Sequence, residues 1–330
     1  MTDLESLSSF ALLGPGWGAS SGRWTLLRDL HPSSGGDGIW LAAFEEREPR
    51  CWSAATREPY KFEPNVDAGA PVIHLRRKDY DQSVEKIREF IRAGDVYQVC
   101  LTRPANLGPS TGRDLLSRLC ARGVPPFAAW IRLPDGREIV SGSPELFFLI
   151  EGPLVHTMPM KGTARAADAA ALRESEKDMA ELAMITDLLR NDLRSVCTPK
   201  SVRVHNARKT IELPYATQTV SHIVGALAPA MGPREVLAAL HPGGSITGAP
   251  KQAALDILSA LEPSPRGVYT GALGYVQGKN AVFSLLIRTA VKSPEGWTYG
   301  VGGGITIDST ADGEWQELYV KLGALGDLHP

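Results

Sequence analysis

The sequence predicts an α+β fold of large, layered antiparallel β-sheets, sandwich-like, with helices on the outer faces. Three observations carry that prediction. Strand-like segments outnumber helical ones and often succeed one another directly, which argues against a βαβ alternation. The periodic helical segments concentrate their apolar residues on one stripe, so each has one face to lay on a sheet. The 330 residues, 43% hydrophobic and 22% charged, can bury a large core as one body or two closely packed halves. No internal repeat or low-complexity tract breaks the pattern.

Residues 1–71 are rich in Gly, Pro and Ser and carry Trp17, Trp24, Trp40 and Trp52. They are expected to form an N-terminal segment of short strands and loops, packed on a main body that spans 72–330. Within that body, Val84, Ile87 and Ile91 share one face of a helix over 79–93, and Gly94 ends it. A strand follows at once over 96–103. Apolar runs bounded by turn residues predict further strands at 127–133, 146–150, 217–224, 268–276, 281–291 and 297–305. Further helices are expected at 113–121, 172–196, 233–240, 250–261 and 313–325.

Charge and cysteine usage narrow the function classes. With 35 basic and 37 acidic residues the net charge is −2, so the broad positive surface that neutralises nucleic-acid phosphate is not expected. The apolar stretches are short and interrupted, and the first residues are acidic where a signal peptide is basic. A cytoplasmic protein is expected, with no membrane attachment. Cys51, Cys100, Cys120 and Cys197 are too widely spaced for a Cys-x-x-Cys pair and read as reduced thiols. The seven histidines show no zinc spacing.

Four constellations bear on chemistry. Lys161 sits in Met158-Pro159-Met160-Lys161-Gly162-Thr163-Ala164-Arg165, held between proline and glycine on a surface-like loop where a lysine can serve as a nucleophile. Asp178 and Glu181 share one helical face, and Glu314, Glu317 and Lys321 repeat the device near the C-terminus. Two helices that aim paired carboxylates inward would suit magnesium, although such pairs are more often a solvated face. The run Pro242-Gly243-Gly244-Ser245-Ile246-Thr247-Gly248-Ala249-Pro250-Lys251 is a glycine-rich turn leading into a helix. Its amides can hold a carboxylate or phosphate, or it is simply a tight helix cap. It is not a Walker loop, because the order of glycines and lysine fails. Gly302-Gly303-Gly304, in the last strand, permits close approach of a ligand or another chain.

These pieces stand in the order and wording of the chorismate-utilising enzymes, which the chain resembles over 72–326. The resemblance also takes in Asp95 to Val99 with Leu101 to Arg103, Ser143-Pro144-Glu145, Lys177 to Asp192 and Ile287-Arg288-Thr289. The lysine of the Pro-x-Lys-Gly-Thr string is similar to the aminodeoxychorismate synthase component I branch. Relatives with other activities, such as anthranilate, isochorismate and salicylate synthases, usually carry alanine there.

The resemblance implies a magnesium ion bridging protein carboxylates and the ring carboxylate of chorismate. Glu181 and Glu317 match its direct ligands, Asp178 and Glu314 the supporting acids, and Lys321 the lysine beside the metal-bound carboxylate. Gly243, Gly244, Ser245 and Thr247 would receive the ring carboxylate, and Tyr269, Arg288 and Gly303 the enolpyruvyl side chain. Lys161 would add to the ring, Glu145 would handle protons, and Gln98 fits relatives that use ammonia instead of water. Gln218 stands where most relatives have a histidine acid; it can donate a hydrogen bond but cannot deliver a proton at neutral pH. A separate glutamine amidotransferase is the implied partner. Relatives often bind tryptophan near an N-terminus longer than this one, so the resemblance does not carry a tryptophan site over to this chain.

Overall fold

A computed structural model describes residues 3–18, 22–164, 175–213 and 216–326. Its eighteen strands hydrogen-bond into one continuous network. The pairings, from Phe10–Leu13 on Trp24–Ser33 to Gly296–Ile305 on Gln98–Leu107, are antiparallel. The expected α+β architecture is thus present.

The layering follows from period-two alternation along strands that are buried on both faces. In Phe10–Leu13, Phe10 and Leu12 enter one core while Ala11 and Leu13 enter another. Trp130 and Ala128 divide in the same way from Phe127, Ala129 and Ile131. The core around Trp17, Ile39, Ile131, Leu273 and Leu286 is built from strands and the turns that join them, so it lies between sheets. The other two cores lie between sheet and helix. Tyr80, Val84 and Ile87 of the helix Tyr80–Ala93 pack with Trp315 and Leu318 of Ala311–Leu322 in one. Ile185, Leu189 and Leu193 of Glu176–Arg194 pack with Val236 and Leu240 of Pro233–Leu240 in the other. Burying each such side chain stabilises the fold by about 1.5–3 kcal/mol.

The N-terminal strands are hydrogen-bonded into this network. Phe10–Leu13 pairs with Phe127–Arg132, and Gly38–Ala42 pairs with Ala272–Gln277. They are also longer than expected. Trp24–Ser33 and Arg50–Tyr60 run for 10 and 11 residues, and Asp29, whose φ is +53°, disturbs the periodicity of the first.

Three further differences concern the site. Residues 281–291 form two strands, Asn280–Leu285 and Thr289–Ser293, because Arg288 between them turns the chain with φ +51°. The strand expected from 268 starts at Ala272, since Thr270, with φ +60°, belongs to a turn. Lys161 lies in a strand, Met160–Ala164, and not on a surface loop. Among the described residues no helix is long and apolar enough to cross a membrane, and all four cysteines are free.

Candidate active site

The strand Met160–Ala164 pairs with Ala216–Ala226 and places Lys161 beneath the helix Glu176–Arg194. There Lys161 Nζ lies 3.3 Å from Glu181 Oε2. The same oxygen accepts a long hydrogen bond from Gln98 Nε2 at 3.4 Å. Gln98, buried at the start of Gln98–Leu107, belongs to a strand that pairs with Gly296–Ile305 and brings the triple glycine alongside. The reason for glycine at Gly304 is contact: a Cβ there would fall 2.0 Å from Gln98 Nε2.

A second group forms around Gly303. A Cβ on Gly303 would lie 2.8 Å from Glu314 Oε2, 3.6 Å from Glu317 Oε1 and 3.8 Å from Lys321 Nζ. Lys321 bonds Glu317 at 2.7 Å and also donates to the Gly302 carbonyl. Glu314 is buried and accepts the Ser309 hydroxyl. Each direct magnesium ligand implied by the resemblance, Glu181 and Glu317, is therefore held by a lysine. The Asp178 side chain lies outside the described residues.

Glu145 makes the third group. Burial pushes its carboxyl up to about 7, and the Ser245 hydrogen bond, Lys161 and Arg288 pull it partly back. Ser245 donates to Glu145 Oε1 at 3.1 Å, so the glycine-rich loop and the candidate acid touch. The Thr247 hydroxyl is turned into its own loop, on the Gly243 carbonyl at 3.0 Å. Gly244 packs against the Glu176–Arg194 helix, where its Cβ would strike Leu188. Tyr269 lies against Gly300. It borders a cavity of about 500 Å³ that Thr102, Glu262 and Thr289 also line.

The brace under the loop gave no sequence signal. Arg266, its side chain 1% exposed, pairs with Glu262 at 2.8 Å and donates to the carbonyls of Ile246 and Cys100 at 2.7 and 2.6 Å. Glu262 in turn accepts both the amide and the hydroxyl of Thr102. One buried ion pair thus ties the glycine-rich loop to the strand that carries Gln98. Lys251, 2.8 Å from Asp192, ties the same loop to the Glu176–Arg194 helix.

Register settles which residue faces Lys161. Thr219 is its cross-strand partner, and Gln218 is paired with Thr163 beyond a bulge at Gly162. Alternation turns Thr219 toward Lys161's face and Gln218 to the other.

The donor set fits magnesium in part. Among the described residues no three acidic, histidine or cysteine side chains form a ready cage. A hard cation that retains waters and takes oxygens from a ligand needs fewer protein donors, and Glu181, Glu314 and Glu317 are all carboxylates.

The chain is similar to known proteins over most of its length. It is 36% identical to an aminodeoxychorismate synthase of Streptomyces pristinaespiralis over 84% of this chain and 41% of that protein. It is 35% identical to aminodeoxychorismate synthase component 1 of Salmonella typhimurium, over 84% of this chain and 62% of the relative. Anthranilate synthase component 1 of Saccharolobus solfataricus is 34% identical over 76% of this chain and 62% of its own length. The chain thus spans less than two thirds of these relatives. Among solved structures, anthranilate synthase component I of Streptococcus pneumoniae superposes with a TM-score of 0.79 at 20% identity, covering 96% of this chain and 89% of that one. The menaquinone-specific isochorismate synthase of Escherichia coli gives 0.80 at 16%, covering 98% and 90%. Together with a family model that matches residues 20–327, these likenesses show that the chain belongs to the chorismate binding enzymes.

Proposed function

We propose that the chain is the aminating component of aminodeoxychorismate synthase, component I, acting in 4-aminobenzoate and folate biosynthesis. It would replace the 4-hydroxyl of chorismate by an amino group and keep the enolpyruvyl ether. The observation that carries this reading is Lys161, drawn into the half-buried group with Glu181 and Gln98 and close enough to Glu145 to influence its carboxyl. Relatives named aminodeoxychorismate synthase support it.

In this reading Lys161, after releasing its ammonium proton to solvent, adds as the free amine at ring carbon 2 while the double bond shifts and the bond from carbon 4 to its hydroxyl breaks. Glu145, protonated near neutrality, gives its proton to the departing oxygen, which leaves as water. Ammonia then bonds carbon 4, the bond to Lys161 breaks with the reverse shift, and Glu145 takes back the surplus proton. Magnesium would be held by Glu181 and Glu317, with Asp178 and Glu314 supporting, and would offset the charge that builds during rearrangement. Gly243, Gly244, Ser245, Thr247 and Lys321 would surround the ring carboxylate, and Tyr269, Arg288 and Gly303 the enolpyruvyl group. A separate glutamine amidotransferase supplies the ammonia in this scheme, and the reaction belongs to the cytoplasm.

The test is turnover of chorismate with magnesium and an ammonium salt, followed by product identification. 4-Amino-4-deoxychorismate is the expected product. Anthranilate or isochorismate would assign the chain to another branch of the family, and no consumption of chorismate would sink the catalytic reading.

A further inference from the structure

We infer that Thr219 is a substrate-contacting residue whose hydroxyl orients the 4-hydroxyl of chorismate beside Lys161. This rests on the proposed reaction and adds a residue to it.

Thr219 stands directly across from Lys161 in the strand pair, so the two side chains rise from the same face about 5 Å apart at Cβ. It is 8% exposed, and Thr219 Oγ1 is buried with no hydrogen-bond partner among the described residues. Nearby hydroxyls are satisfied by main chain. Ser221, two residues on and on the same face, donates to the Asn206 carbonyl at 3.3 Å, and Thr157 to that of Phe147 at 2.7 Å. A buried hydroxyl without a partner destabilises a fold, so its presence next to the candidate nucleophile calls for a ligand atom. Elimination names that atom. Chorismate has three polar substituents on its ring, and the two carboxylate-bearing ones have proposed partners at the glycine-rich loop and around Arg288. The 4-hydroxyl remains. Thr219 gives up no proton in this role, since its hydroxyl only donates a hydrogen bond to the departing oxygen while Glu145 supplies the proton that leaves with it.

The experiment compares Thr219→Val, which keeps the shape, with Thr219→Ser, which keeps the hydroxyl. Two ligands are used: chorismate, and an aromatic analogue that retains both carboxylates and lacks the 4-hydroxyl. Thr219→Val should lose about tenfold or more in kcat/KM and in chorismate affinity, bind the analogue as wild type does, and melt at the same or a higher temperature. Thr219→Ser should stay within about threefold of wild type. Unchanged kinetics in Thr219→Val would overturn the inference, as would equal weakening of both ligands or a lower melting temperature with chorismate binding intact. If wild type itself leaves chorismate unchanged, the reaction assignment fails first and independently.

Discussion

Lys161 and Glu181 form an ion pair at 3.3 Å in which both side chains are 15% exposed. That places the candidate nucleophile against the candidate metal ligand, and Gln98 joins them through the same carboxylate oxygen. The pair predicts two effects of Lys161→Ala. Stability should fall by only about 1–2 kcal/mol, because Gln98 still donates to the carboxylate left behind. Formation of aminodeoxychorismate should fall by at least about a hundredfold, because the proposed nucleophile is gone. Mass spectrometry of quenched wild-type enzyme should show added chorismate-derived mass on the peptide holding Lys161. Full activity in the variant would refute the covalent route.

The proposed metal dependence is tested on the same carboxylates. Glu181→Gln and Glu317→Gln each delete one charge from a hard-oxygen donor set while keeping its shape. Each should raise the magnesium concentration needed for half-maximal turnover, and calorimetry should show weaker magnesium binding apart from any activity. Turnover in EDTA at the untreated rate would remove magnesium from the scheme.

Glu145 predicts a pH dependence in both stability and rate. Its folded value, about 7, lies above the ordinary carboxylate value of 4.5 because burial disfavours the charged form. The neutral carboxyl therefore favours the fold below about pH 4.5, and this contribution is lost as pH rises toward and through 7, amounting to about 3 kcal/mol. Glu145→Gln should accordingly be more stable than wild type at pH 8 by thermal melting. At constant free ammonia, wild-type kcat/KM should decline above about pH 7, and the variant should be slower without that decline. A variant that keeps the wild-type limb would assign the titration to another group.

Much of this was legible in the sequence wherever one residue type imposes one geometry. The helix over 233–240 is present as Pro233–Leu240, since Pro233 fixes its first turn and its apolar stripe is regular. The glycines of 302–304 announce close approach, and Gln98 and Glu314 supply it. Arg203–Leu213 escaped because Arg203, His205, Asn206, Arg208 and Lys209 are exposed, so the period-two signal of a half-buried strand is missing. The Arg266 to Glu262 brace escaped for a different reason. Its partners, Ile246, Cys100 and Thr102, are distant in sequence, and nothing local in Pro263-Ser264-Pro265-Arg266 marks the arginine as buried.

Gln218 shows how much a register decides. The resemblance places it where most relatives carry a histidine acid, yet the strand pairing sets Thr219 opposite Lys161 and turns position 218 away. Gln218→His should therefore change turnover by less than about threefold, since an acid on the other face cannot reach the leaving oxygen. A gain of about a hundredfold would put position 218 on the reacting face and reverse the assignment of the two neighbours.

The last prediction concerns Gly304, where packing and chemistry meet at one missing methyl group. An alanine Cβ would sit 2.0 Å from Gln98 Nε2 and 3.1 Å from its Cδ. The obstructing atom is the far end of a flexible side chain, so Gln98 can swing aside while the strand pairing with Cys100 persists. Swinging aside breaks its hydrogen bond to Glu181, leaving Lys161 as that oxygen's remaining partner among the described residues. Gly304→Ala should therefore cost about 1–3 kcal/mol in stability and keep the fold by circular dichroism. It should also reduce amination more than chorismate binding, because what moves is the group beside the nucleophile and not the carboxylate-binding loop. Pairing the change with Gln98→Ala, which clears the space, should restore the lost stability but not the rate. Recovery of both would show that the glycine serves packing alone.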